Sequence, residues 1–164
     1  MGSSRRVIVL IPLGFDDGQD ISNYEGFLSL IESLEAKLLE DLRNARAWYN
    51  IDSNRIALCG FSASADLSWA MCNRQPEIFT GAVVGGSQCS YIDEGSIDTL
   101  SDREARFYMV MARDDARRRL DGMQRAVDIL ADADIDHRYI RPTRGGHTPG
   151  IMDLEAGVEY VFGY

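Results

Sequence analysis

Disulfide and metal chemistry have few residues to draw on in this chain. Its 164 residues include three cysteines and two histidines. Cys59, Cys72 and Cys89 are odd in number and widely spaced, and no CxxC pair is present, so the ligand spacing of a zinc site is not found. The sequence therefore predicts a reduced, cytoplasmic protein that uses no metal ion and no cofactor.

Long apolar runs and an excess of basic residues are also missing. The longest apolar run, residues 7–13, falls far short of the roughly 20 residues that a membrane helix needs. Lys and Arg number 17 against 26 Asp and Glu, a net charge of −9, which argues against nucleic-acid binding. We expect neither a membrane nor a nucleic-acid partner. The one basic cluster, residues 117–119, lies among acids and is predicted to be a solvated helix face.

The amino terminus shows no secretion signal. Residues 1–6 are short and polar and lead directly into an apolar run, which argues against a signal peptide. We expect these six residues to be a disordered or cloning-derived tail. Hydrophobic residues make up 45% and charged residues 26% of the chain, which is an ordinary balance for a globular protein. Together with the length, this balance predicts a single domain over residues 1–164.

Hydrophobic patterning alternates between strand-like and helix-like segments. The apolar run over residues 7–12 predicts a strand buried on both faces of a parallel sheet. Apolar residues at three- and four-residue steps from Phe27 to Trp48 predict a long amphipathic helix. Further strands are predicted at 54–59, 82–86, 107–112 and 137–140, and further helices at 63–74, 120–130 and 154–161. This alternation indicates an α/β fold with a doubly wound sheet of about five parallel strands.

A serine stands between a predicted strand and a predicted helix. Gly60, Ser62 and Ser64 follow the spacing of the G-x-S-x-G nucleophile elbow, with Ser64 in place of the last glycine. A sharp strand-to-helix turn requires small neighbours on both sides of the serine, and Ala65 adds another. The alternative is that Ser62 only caps the helix that begins at Ala63.

A base and an acid for this serine are available at the carboxyl ends of later strands. His147 lies in a glycine-rich loop, residues 144–150, directly after the last predicted strand, whereas His137 lies at the start of that strand and is the weaker candidate. Asp114 and Asp115 both follow the strand 107–112, and either could instead cap the next helix. A serine nucleophile needs both a base and an orienting carboxylate, so these positions predict one site.

Five segments together resemble a known superfamily. They are NIDSNRI at 50–56, GFSASA at 60–65, PEIF at 76–79, VVGG at 83–86 and GGHT at 145–148. The pattern resembles the α/β-hydrolase superfamily, and within it the polyhydroxyalkanoate-depolymerase and feruloyl-esterase-like serine esterases. The chain order serine, acid, histidine is also that of the superfamily. The resemblance implies a minimal α/β-hydrolase-like sheet with a shortened amino-terminal half.

The resemblance also implies roles for individual residues. Ser62 corresponds to the nucleophile, His147 to the base and Asp115 to the acid, because the family's aspartate stands three positions after a small strand-end residue, here Ala112. The oxyanion hole would comprise the N–H of Ala63 and a second donor from Leu13 or Gly14. The implied activity is hydrolysis of a small-molecule carboxylic ester through an acyl-enzyme.

Two alternatives to an esterase remain at this stage. A thioesterase or a peptidase would use the same three residues. A catalytically silent α/β-hydrolase-like binding protein is the other alternative, because residues 14–54 have room for only one loop and one helix where a full hydrolase has two helices and a strand.

Two smaller features complete the sequence. The acidic segment 16–25 partly resembles a calcium-binding loop, but Gln19 stands where the turn glycine belongs, so we interpret it as an acidic loop. A strand at residues 7–12 would lie near an edge of the sheet, where unpaired backbone groups invite pairing. That edge predicts a homodimer.

Overall fold

A computed structural model of the protein describes residues 7–10 and 24–164. The chain divides into two compact units, Met1–Ile51 and Asp52–Tyr164. In the first unit, helix α1 spans Tyr24–Trp48, as its apolar spacing predicts. The prediction of one domain over the whole chain stays a prediction, and residues 1–6 lie outside the described part.

The second unit contains a parallel sheet of four strands, β1 (Leu58–Phe61), β2 (Gly81–Gly85), β3 (Arg106–Val110) and β4 (Asp136–Ile140). The strands lie in the order β1-β2-β3-β4, and each pairs with the next in parallel register. They alternate with helices α2 (Ala63–Arg74), α3 (Glu94–Asp102), α4 (Arg117–Asp132) and α5 (Leu154–Phe162). A short 3₁₀ turn, Pro149–Ile151, precedes α5. The predicted doubly wound α/β fold is therefore confirmed.

Helices cover both faces of this sheet, which explains why its inner strands are apolar except for Arg106 at the start of β3. Successive residues of a strand point to opposite faces. On one face, Phe107 packs edge-on against Trp69 of α2, with ring centroids 5.5 Å apart. On the other face, Tyr108 clusters with Val83 and with Val161 of α5. Every residue of β2 is consequently buried.

The expectation of about five strands is wrong by one, because the described sheet has four. The described part of the predicted first strand, residues 7–10, has no regular secondary structure, and residues 11–12 lie outside the described part. An apolar run favours a strand, but a strand also requires a neighbour with which to share hydrogen bonds. The sheet edge from which we predicted a homodimer is thus absent over residues 7–10, and the homodimer stays a prediction.

Helix α3 has no counterpart among the predicted helices. Its nine residues include only one large buried apolar side chain, Leu100, so the sequence has no apolar stripe to reveal it. The helix instead begins at a polar cap, where the side chain of Asp93 accepts a hydrogen bond of 3.0 Å from the N–H of Gly95. Capping is a local signal that hydrophobic periodicity does not detect.

Candidate active site

Ser62 occupies a strained turn between β1 and α2. Its backbone angles are φ 59° and ψ −124°, a conformation that residues other than glycine rarely adopt. Such backbone persists only where its surroundings hold it. The Ser62 N–H donates to Gly85 O at 2.8 Å, and the Ser62 carbonyl accepts from the N–H groups of Ala65 and Asp66. The Ser62 side chain makes no capping hydrogen bond to α2, so the helix-cap alternative is not supported.

Gly60 allows helix α2 to start close to the strand that precedes it. A Cβ atom at position 60 would overlap the backbone of Ser64 and the N–H of Ala65. Because these are main-chain atoms, no rotamer change would relieve the overlap. The first glycine of the elbow motif is thus a steric requirement of this turn.

Ser64, which replaces the last glycine of the motif, hydrogen-bonds to the strand end. Its hydroxyl accepts from the N–H of Phe61 at 3.0 Å and donates to the carbonyl of the same residue at 2.8 Å. Ser62 directs its own N–H to β2, and successive residues of a strand turn their main-chain polar groups to opposite sides. The polar groups of Phe61 therefore point away from β2, and Ser64 satisfies both of them.

The close packing at Gly60 leads to a prediction about stability. We expect Gly60→Ala to lower the free energy of unfolding by about 3 kcal/mol, because overpacking against backbone forces the turn apart. Urea denaturation measures this change. Gly150→Ala is the matched control, since among the described residues no atom lies within 4 Å of a Cβ at that position. Equal denaturation midpoints for the two variants would contradict the steric requirement.

His147 lies in the loop after β4 and contacts Ser62 across the carboxyl ends of the strands. Its Nε2 is 2.8 Å from the Oγ of Ser62. Its Nδ1 is 2.9 Å from Oδ2 of Asp115. The ring of Phe61 packs beside the imidazole at a centroid distance of 4.9 Å. Serine, histidine and aspartate thus form one continuous chain of hydrogen bonds.

Asp115 is the buried member of this chain, with 1% of its side chain exposed. Besides His147, its carboxylate accepts from the N–H of Ala116 at 2.6 Å and lies 3.3 Å from Nε of Arg119. A buried carboxylate is tolerated only with such partners. Helix α4 begins at Arg117, with Ala116 at its N-cap and no side-chain cap, so neither Asp114 nor Asp115 caps it.

Asp114 turns to the glycine loop instead of the imidazole. Its carboxylate accepts from the N–H of Gly146 at 2.8 Å and from that of Gly145 at 3.3 Å. These donors, Gly146 foremost, hold the pKa of Asp114 below its ordinary value. Both glycines have positive φ, 142° and 52°. The two neighbouring aspartates therefore have separate contacts: Asp115 bonds to the imidazole, and Asp114 secures the loop that carries it.

The predicted oxyanion donors are only partly described. Ala63 is the first residue of α2, and the first N–H groups of a helix have no partner within it. No residue in the described part of the chain accepts a hydrogen bond from this N–H. Leu13 and Gly14 lie outside the described residues, as do residues 16–23 of the acidic segment.

His137, the weaker candidate for the base, does not take part in the hydrogen-bond chain of Ser62, His147 and Asp115. Its Nδ1 lies 2.8 Å from the carbonyl oxygen of Ile135.

Arg119 was not foreseen as part of the site. The sequence predicted a solvated face for residues 117–119, and this is wrong for Arg119, whose Nε donates to Nδ1 of His147 at 3.1 Å. The available signal was its spacing, since residues four apart on a helix are neighbours and Asp115 lies four positions earlier.

Three further findings concern metal ligands, membrane-spanning helices and thiols in the described part of the chain. No group of three potential metal-ligating side chains occurs among its residues. None of its helices is long and apolar enough to cross a membrane. Cys59, Cys72 and Cys89 are free thiols, and burial raises the pKa values of all three.

The parallel sheet with a serine on a strand-to-helix turn defines a class of protein, that of the α/β-hydrolase fold. Solved structures, two of them esterases by name, share this fold. SOBER1 of Arabidopsis thaliana is 14% identical at a TM-score of 0.64, over 85% of this chain and 64% of that one. Esterase PE8 is 20% identical at a TM-score of 0.63, over 88% and 66% of the two chains. A ferulic acid esterase is 15% identical at a TM-score of 0.58, over 75% and 58%.

These similarities confirm the resemblance to α/β-hydrolase esterases at the level of the fold. The chain spans 64% of the length of the SOBER1 structure, slightly less than two thirds. No family sequence model matches the chain, and no curated protein sequence matches it.

Proposed function

We propose that this protein is a serine hydrolase that cleaves a carboxylic ester of a small molecule through an acyl-enzyme. The observation that carries the proposal is the unbroken hydrogen-bond chain from Ser62 Oγ through His147 to the buried Asp115, with distances of 2.8 and 2.9 Å. Nucleophile, base and orienting carboxylate in hydrogen-bond contact are what activation of a serine requires.

Acylation begins when Nε2 of His147 takes the hydroxyl proton of Ser62. The Oγ attacks the ester carbonyl and forms a tetrahedral intermediate, whose negative oxygen accepts a hydrogen bond from the N–H of Ala63. The intermediate collapses as the alcohol leaves with the proton from Nε2. Asp115 stabilises the imidazolium that exists between these two transfers and keeps the ring in place.

Deacylation repeats the sequence with water as the nucleophile. His147 takes a proton from water, the hydroxide attacks the acyl-enzyme, and the proton returns to Ser62 Oγ as the carboxylic acid is released. That Leu13 or Gly14 supplies a second oxyanion N–H stays a prediction from the sequence. Each such donor is worth roughly 3 kcal/mol of transition-state stabilisation.

An ester is our choice of substrate class because several of the solved structures that share the fold are esterases by name. A thioester or peptide substrate would use the same three residues, and cytoplasmic localisation stays a prediction.

Covalent labelling tests the proposal before any substrate is known. A fluorophosphonate probe should modify the folded protein once, and mass spectrometry of peptides should place the adduct on Ser62. Heat-denatured protein is the control and should not react, because the hydrogen-bond chain is lost on unfolding. If the folded protein stays unlabelled, the catalytically silent alternative is favoured instead.

A further inference from the structure

Arg119 lies in the first turn of α4 and contacts two members of the hydrogen-bond chain. Its Nε lies 3.1 Å from Nδ1 of His147 and 3.3 Å from Oδ1 of Asp115. Its neighbours do otherwise. Arg117 pairs with Asp121 at 2.9 Å. Arg118 is exposed and forms no hydrogen bond or ion pair within the described part of the chain. Arg119 is thus the one arginine of this cluster that faces the imidazole.

The two partners of His147 Nδ1 make incompatible demands on it. An imidazole nitrogen has either a hydrogen, and donates, or a lone pair, and accepts. The carboxylate of Asp115 only accepts, so it requires a hydrogen on Nδ1. The Nε–H of Arg119 only donates, so it requires a lone pair there. Both groups are within 3.1 Å of the same atom, so at any moment only one of them hydrogen-bonds to Nδ1. When Asp115 does so, Arg119 keeps its ion pair with Oδ1 of Asp115 at 3.3 Å.

The choice at Nδ1 determines what Nε2 does on the other side of the ring. With the hydrogen on Nδ1, Nε2 has a lone pair and is able to take the proton of Ser62. With the hydrogen on Nε2, that nitrogen donates to Ser62 Oγ and no base is available. The two forms interconvert when one ring nitrogen releases its proton to water and the other takes one up, so no co-reactant is needed.

We propose that Arg119 competes with Asp115 for Nδ1 of His147 and thereby holds part of the protein, with or without bound substrate, in the tautomer that does not activate Ser62. This inference rests on the proposed function. Arg119 is a positioning residue, because it acts through the imidazole and not on the substrate. Its guanidinium also opposes the imidazolium that forms in each half-reaction, since both groups are positively charged.

The nitrogen chemical shifts of His147 test this directly, because the chain has only two histidines. In a ¹⁵N-labelled sample, His137→Ala assigns the remaining ring to His147. We expect the wild-type protein to show a populated Nε2–H form and Arg119→Met to shift the ring to the Nδ1–H form. Arg118→Met is the matched control and should leave the spectrum unchanged. A wild-type ring that is entirely Nδ1–H overturns the proposal, whether or not the variants fold.

Kinetics provide a second readout with p-nitrophenyl acetate as the substrate. Arg119→Met should raise kcat roughly three- to tenfold, because a larger fraction of the protein then has His147 in the competent Nδ1–H tautomer. KM should change less than about twofold. Arg119→Gln, with a polar side chain of similar reach, should raise kcat in the same direction. A fall in kcat in both variants would mean that Arg119 supports the hydrogen-bond chain, and would overturn the proposal.

Failure of the proposed function would look different from failure of this inference. A protein without hydrolase activity would neither turn over the ester nor react with the fluorophosphonate in any variant. The ring nitrogens of His147 would still report whether Arg119 sets the tautomer. Conversely, an active protein whose imidazole does not respond to Arg119→Met retains the proposed function and loses only this inference.

Discussion

Replacing Ser62 with alanine is expected to lower kcat/KM for p-nitrophenyl acetate by roughly 10⁴- to 10⁶-fold. The loss is large because the acyl-enzyme cannot form without Oγ, and His147 and Asp115 then have no nucleophile to activate. A small residual rate should remain, since the oxyanion donor at Ala63 and substrate binding are unaffected. Stopped assays at high protein concentration measure this residual rate above the background hydrolysis of the ester.

Two controls separate chemistry from folding in this experiment. Ser101→Ala removes a hydroxyl from α3, where it donates to the carbonyl of Ala133, and should retain full activity. Ser62→Gly should be as inactive as Ser62→Ala but no less stable than the wild type, because glycine tolerates the φ of 59° at this turn. Comparable hydrolysis by Ser62→Ala and the wild type would refute the nucleophile assignment.

The two histidines give the second large effect and its own control. We expect His147→Ala to reduce hydrolysis by roughly 10⁴-fold or more, and to abolish fluorophosphonate labelling, because Ser62 then has no base. His137→Ala should keep both activities, since its Nδ1 contacts the Ile135 carbonyl at the far end of β4. The same p-nitrophenyl acetate assay compares the two variants with the wild type.

An inversion of this result would be informative. If His137→Ala lost activity and His147→Ala kept it, the contact of 2.8 Å between Nε2 and Ser62 Oγ would have no catalytic meaning. Thermal unfolding of both variants shows whether a loss of activity comes from loss of the fold. We expect the His147→Ala variant to stay folded, because His147 is partly exposed and its removal should cost little stability.

The sequence predicted the strand and helix pattern of the second unit well, because each buried segment carries its own periodic signal. Strands β2, β3 and β4 lie within about two residues of their predicted positions. The first described strand was predicted at 54–59 and lies at Leu58–Phe61. The difference arises because strand boundaries depend on which residues find partners, here Leu58 opposite Ala82, and composition does not encode partners.

Side-chain contacts between distant segments were the part that patterns could not decide. Asp114 and Asp115 both follow the same strand, and only the fold determines which one meets a histidine 32 residues later. The resemblance favoured Asp115, which is the aspartate that contacts His147. Arg119 was assigned to a solvated face because its neighbours in the chain are charged, whereas the helix turns it toward the imidazole.

The hydroxyl of Ser64 has a consequence for how the sheet ends. At the last residue of β1, both main-chain polar groups on the outer side are already bonded to this one side chain. Any further strand, from this chain or another, would have to displace Ser64 before it could pair with Phe61. Ser64, a residue of the elbow motif, thus keeps the last residue of β1 from pairing with another strand beside the nucleophile's turn, at an edge where open sheets are prone to associate.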